Sequence, residues 1–161
     1  MKKYVFTLLL LFVCHLGYAQ SIDGLFNEFG SERNADCVNV SPFLMSIGKM
    51  FAGHQEVSEI VGKIKSMRVL DLEECSENVK ERFNKKASKL NLNGYDELMR
   101  VNDEGEKVRV LMKIKKEVIR ELLFVCTGKE DCTLVQINGK FTKDDIDKLV
   151  NQETGKKHGR R

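Results

Sequence analysis

The sequence predicts an α+β domain: an antiparallel sheet, a meander of about four to six strands, covered by two or three helices. Three observations predict it. Several early segments repeat apolar residues at helical spacing, the chain after Gly94 alternates with a period of two, and turn residues punctuate that alternation.

Ile22, Leu25, Phe26 and Phe29 recur at i, i+3, i+4 and i+7, which predicts a helix over Ser21–Phe29 stopped by Gly30. Cys37-Val38-Asn39-Val40 is a short strand candidate. Ser41-Pro42 then opens a helix, with serine as N-cap and proline at the first position, where no N–H is missed. Phe43, Leu44, Ile47, Met50 and Phe51 stripe it; Gly53-His54 breaks it, and another turn or two follow before Gly62. Ile64–Leu72 reads as a strand. From Ser76 to Leu92 a helix is predicted, with Val79, Phe83, Ala87 and Leu90 on one face, stopped at Asn93-Gly94.

Beyond Gly94, Glu97, Met99 and Val101 alternate with Leu98 and Arg100 as far as a turn at Asn102-Asp103-Glu104-Gly105. The next strand sets Val108, Val110, Met112 and Ile114 against Arg109, Lys113 and Lys115. Ile119–Thr127 is more apolar, which predicts a central strand, and Gly128–Asp131 turns it into Thr133–Ile137, closed by a turn at Asn138-Gly139. Thr142 as N-cap, Asp144 and Asp145 in the first turn, and a Phe141/Ile146 staple announce a last helix over Lys143–Val150.

Three segments are expected: a signal peptide at 1–19, one α+β domain at 20–152 and a basic flexible tail at 153–161. Lys2 and Lys3, the apolar Val5–Val13 stretch and the small residues Gly17 and Ala19 have the form of an export leader cleaved between Ala19 and Gln20. Its apolar run is short of the ~20 residues that span a bilayer, so no transmembrane span is expected after cleavage. Cys14 loosely matches a lipid-attachment site, but the bulky Val13 before it makes lipid anchoring the minor alternative.

Composition excludes further classes. The leader holds two of the 27 basic residues, leaving 25 against 24 acids, and four of those 25 lie in the tail. Nucleic-acid binding, which needs a clustered basic face, is not expected. The one charge stripe on a regular element is Arg109, Lys113 and Lys115, a candidate contact for an anion.

Four cysteines follow the leader: Cys37, Cys75, Cys126 and Cys132. An even count in an exported chain raises the prospect of disulfides, and three pairings exist. Cys126 with Cys132 would close a short hairpin, leaving Cys37 with Cys75; free buried thiols are the other reading. There is no C-x-x-C for redox work and no zinc spacing, so neither cofactor nor metal is expected. After the leader only His54 and His158 remain, without a partnered nucleophile, and no phosphate-cradling glycine motif occurs. No catalytic residues are assigned.

Val38-Asn39-Val40-Ser41-Pro42 leading into an apolar helix, then Ile64–Leu72, Tyr95-Asp96-Glu97-Leu98-Met99 and Leu134-Val135-Gln136-Ile137-Asn138-Gly139 together resemble domain of unknown function 4252, a family of small exported Bacteroidetes proteins. The resemblance covers roughly residues 20–152. It implies an envelope protein without established activity, and an association with extracytoplasmic sigma-factor systems. The functional expectation is an exported, periplasmic or secreted, non-enzymatic module that binds a protein or small ligand in the envelope. The alternatives are a regulatory component of envelope stress signalling and an uncharacterised envelope hydrolase.

Overall fold

The computed structural model describes residues 20–41 and 61–147. The leader and Cys14, the helix expected from Pro42, His54, and everything from residue 148 through the basic tail lie outside the described residues. In chain order the elements are α1 (Ile22–Phe29), β1 (Asp36–Val40), β2 (Ile64–Asp71), α2 (Glu77–Ala87), β3 (Asp96–Asp103), β4 (Glu106–Lys115), β5 (Val118–Thr127) and β6 (Thr133–Phe141). The strands form one antiparallel sheet in the order β1-β2-β6-β5-β4-β3. Strands β3 to β6 are a meander, β2 adds to the far side of β6, and β1 and β3 are the edges. The α+β class with a sheet core is what the alternation after Gly94 predicts. No described helix is long and apolar enough to cross a membrane.

Helices α1 and α2 pack on one face of the sheet. Ser21 caps α1 by accepting the Gly24 N–H at 2.9 Å, and α1 buries Leu25, Phe26 and Phe29. Val79, Phe83 and Ala87 of α2 join them over Leu70, Leu111, Leu123, Val125 and Leu134. Phe29 and Phe83 meet edge to face, centroids 5.4 Å apart, so the two helices share one apolar seam. Glu28 bridges them at the rim, accepting from Lys86 at 2.5 Å and Arg82 at 3.1 Å.

The opposite face carries a second cluster of Ile119, Leu122, Phe141 and Ile146. The Phe141/Ile146 staple and the Thr142 cap are both in place: Thr142 Oγ1 accepts the Asp145 N–H at 3.3 Å, and Asp145 Oδ2 accepts the Thr142 N–H at 2.7 Å. Asp145 is almost fully buried, and its Oδ1 receives the Lys63 ammonium at 2.6 Å. Burial opposes its ionisation, but Lys63 and the two Thr142 donors prevail and bring its pKa from 3.8 to about 2.

Three local expectations are corrected. The α2 helix ends at Ala87 rather than Leu92, because Leu90 leaves the helical path to bridge Gln20 in parallel, with the Asn91 N–H donating to Gln20 O at 3.0 Å. Asn138-Gly139 is not a turn. Strand β6 runs through it, Asn138 pairing with both Ser66 and Glu121, and Gly139 is a glycine because a Cβ there would sit 2.5 Å from the Phe141 ring and 2.6 Å from Lys63 O. The disulfides are absent: Cys37, Cys75, Cys126 and Cys132 are free thiols. Cys126 follows Val125, a residue of the helix-covered core, and so points to the other face opposite Thr133, whereas Cys132 is buried in that core with Leu134. Cys75 is buried, its thiol donating to Arg33 O at 3.5 Å, while Cys37 is exposed on edge strand β1.

Candidate anion-binding cleft

The β3–β4 hairpin sets the site's register. Its two-residue turn holds Glu104 and Gly105 at φ 44° and 95°, the doubly left-handed geometry that suits strand twist. That turn places Arg100 opposite Arg109 and Asn102 opposite Lys107; β5 then places Val125 opposite Arg109 and Thr127 opposite Lys107. One sheet face therefore gathers two arginines, a lysine, an asparagine and a threonine beside the end of the helix-covered core.

Helix α2 supplies the other wall through Asn84, Ala87 and Ser88, and Gly128-Lys129 closes the end. The resulting open cleft has a volume of about 530 Å³. Arg100, Lys107, Arg109 and Lys129 line it, and no carboxylate does. Glu97 stands at its margin, accepting from Arg100 Nε and Nη2 at 2.7 and 2.8 Å and from Arg109 at 2.9 Å. Hydrogen bonding from Arg100, partly opposed by burial, and then from Arg109 holds the Glu97 carboxyl below its ordinary range. The same pairing raises Arg100 above its already high value. Four cations line the cleft, while the carboxylates nearest it, Glu97 at the margin and Glu106 beneath the closing loop, are outside the lining, so the lining itself carries a positive excess.

The closing loop is fixed from several sides. Glu106 Oε1 accepts the Lys129 N–H at 3.0 Å and the Glu130 N–H at 3.4 Å. Asn84 Nδ2 donates to Gly128 O at 2.6 Å, the Cys132 thiol donates to Asn84 Oδ1 at 3.3 Å, and Lys80 Nζ donates to Glu130 O at 3.0 Å. Gly128 is required by close approach: a Cβ there would fall 1.5 Å from Glu106 Oε2. Beyond Asn84 and the same loop lies a smaller cavity of about 270 Å³, whose lining includes Glu77 and Glu81 as well as Lys80.

Of the stripe named from sequence, Arg109 lines the cleft. Lys113 shares its face further along β4, its ammonium 5.1 Å from the Tyr95 ring centroid and its position opposite Glu121. Lys115 is exposed beside the β4–β5 turn. Glu121 belongs to a separate polar chain beneath α1. It accepts from Tyr95 Oη at 2.6 Å and from Gln136, which accepts from Arg68, which donates to Asp23. Burial first, and then the Glu121 carboxylate, push the Tyr95 phenol well above its ordinary value. Burial likewise raises the thiols of Cys75, Cys126 and Cys132, so they are poor nucleophiles. Gln20 is the first described residue and Ala19 lies outside them.

Sequence reasoning missed Arg100, Lys107, Lys129 and Asn84. The first two had a signal: a two-residue turn at Glu104-Gly105 fixes which residues face Arg109 and which flank it. Lys129 and Asn84 arrive by packing of distant segments and had none.

No curated protein and no solved structure matches the chain. A family model does, over residues 29–149, which span β1 to β6 and both walls of the cleft. The chain belongs to the family described as domain of unknown function (DUF4252).

Proposed function

We propose that the protein is an exported, non-enzymatic binding module of the cell envelope that takes an anionic ligand in the cleft between α2 and β3–β5. The observation that carries this reading is the convergence of Arg100, Lys107, Arg109 and Lys129 on one concave surface whose lining holds no acid. Like charges repel when gathered, so the cluster is favourable mainly when an anion enters it. Asn84, Ser88, Asn102 and Thr127 add neutral hydrogen-bonding groups to the same walls, which suits carboxylate or phosphate oxygens. Export rests on the leader at residues 1–19, with its two lysines, short apolar run and small residues at 17 and 19.

A titration of the isotopically labelled full chain with citrate, followed by amide chemical shifts, tests the reading. Saturable shifts confined to Arg100–Arg109 and Thr127–Lys129, weakening as salt rises, are expected. Shifts scattered over the surface, or none up to tens of millimolar citrate, would overturn it.

A further inference from the structure

Among the described residues strand β3 is an edge of the sheet, and all its residues are exposed. An edge strand presents a row of unpaired N–H and C=O groups, which proteins usually blunt with a bulge, charges or brevity. Here the bulge lies between Glu97 and Met99, and past it Met99–Asp103 runs in unbroken register with β4.

The two faces of this open stretch are chemically opposite. Met99 and Val101, 49% and 44% exposed, pair with Val110 and Val108 and point to one side. Arg100 and Asn102 point to the other, where they form the outer row of the cleft. A strand added at this edge would lie ~4.8 Å from β3 and send alternate side chains onto the same two rows. Residues above the cleft would meet Arg100 and the excess positive charge behind it; the others would continue the apolar row.

We propose that the β3 edge binds an extended peptide whose residues alternate between acidic and apolar, adding it to the sheet as a seventh strand. The inference rests on the cleft reading above and supplies its ligand class: the anion is a row of carboxylates on a peptide backbone. A second copy of the chain is a poorer occupant. The two-fold antiparallel registers centred on Met99, Arg100 or Val101 set Arg100 against Leu98, its own copy or Asn102, and those that set it against an acid, Asp96 or Glu104, are centred on Leu98 in the bulge or on Asn102 next to the turn.

The test uses the full chain and three capped synthetic peptides: alternating Glu and Val, the same with Gln for Glu, and the Glu–Val peptide N-methylated at alternate residues. Binding is read by fluorescence anisotropy, and amide hydrogen exchange is followed on β3. The Glu–Val peptide should bind saturably and slow exchange of those Met99–Asp103 amides that point away from β4. Both altered peptides should bind at least about tenfold more weakly, one through lost charge-assisted bonds and the other through lost backbone bonds. If the Gln peptide binds as tightly, the cleft reading fails and this inference with it. If the N-methylated peptide binds as tightly, or citrate titrates the cleft while no peptide binds, strand addition is overturned and the cleft stands. Protection of the same amides before any peptide is added, in a chain that sediments as a dimer, would also overturn it.

Discussion

Replacing Asp145 with Asn removes one negative charge and, with the amide oxygen kept on the Thr142 N–H, puts an NH2 donor in place of the oxygen that accepts from Lys63. The carboxylate it replaces is buried, 2.6 Å from the Lys63 ammonium, with a pKa lowered from 3.8 to about 2. A group whose folded pKa is depressed stabilises the fold above its unfolded pKa, and loses that contribution as pH falls through the folded value. A tenfold change in proton affinity is worth about 1.4 kcal/mol, so the pH-dependent part of the Asp145→Asn cost should be about 2 kcal/mol at pH 6. The same linkage leaves under about 0.5 kcal/mol at pH 2. Urea unfolding of both proteins at a series of pH values between 2 and 6 measures the difference directly. A stability gap that stays constant across the series would refute the argument, since the substitution would then be acting through packing or the cap rather than through charge.

Gly128→Ala should force the Glu106 carboxylate out of its seat and forfeit its bonds to the Lys129 and Glu130 N–H groups, at a cost of about 1–3 kcal/mol. Glu106→Ala in the same chain should be much less than additive with it, which a chemical-denaturation double-mutant cycle checks. Glu117→Gly should stabilise the fold by about 0.5–1 kcal/mol, seen as a rise of about 2–3 °C in thermal midpoint, because Glu117 holds a left-handed φ of 60° in the β4–β5 turn.

How much of this was legible in the sequence follows the range of the interactions concerned. Helix α1 was legible because its cap and apolar spacing are local, and β4 because alternation survives wherever the two faces differ. The Thr142 cap and the Phe141/Ile146 staple were legible for the same reason. Asn138-Gly139 misled because that dipeptide favours a hairpin turn, whereas here the missing Cβ serves to admit the Phe141 ring and Lys63 O. The β4–β5 turn was silent in the opposite sense: Lys116 and Glu117 both take left-handed φ without a glycine or asparagine to announce it. The cysteines misled because proximity along a hairpin says nothing of which face each thiol takes, and one residue of phase separates a bridgeable pair from an unbridgeable one. In the cleft, Arg100 and Arg109 follow from one turn, while the α2 wall and Lys129 depend on contacts across the fold.

The central claim is that the positive excess of the cleft, rather than its shape, binds the ligand. The double variant Lys107→Glu/Lys129→Glu tests it most directly, since both side chains line the cleft and neither is in a salt bridge found among the described residues. Isothermal titration with citrate should show affinity falling at least about tenfold while urea stability shifts by no more than about 0.5 kcal/mol. Unchanged citrate affinity in the folded double variant would contradict the account.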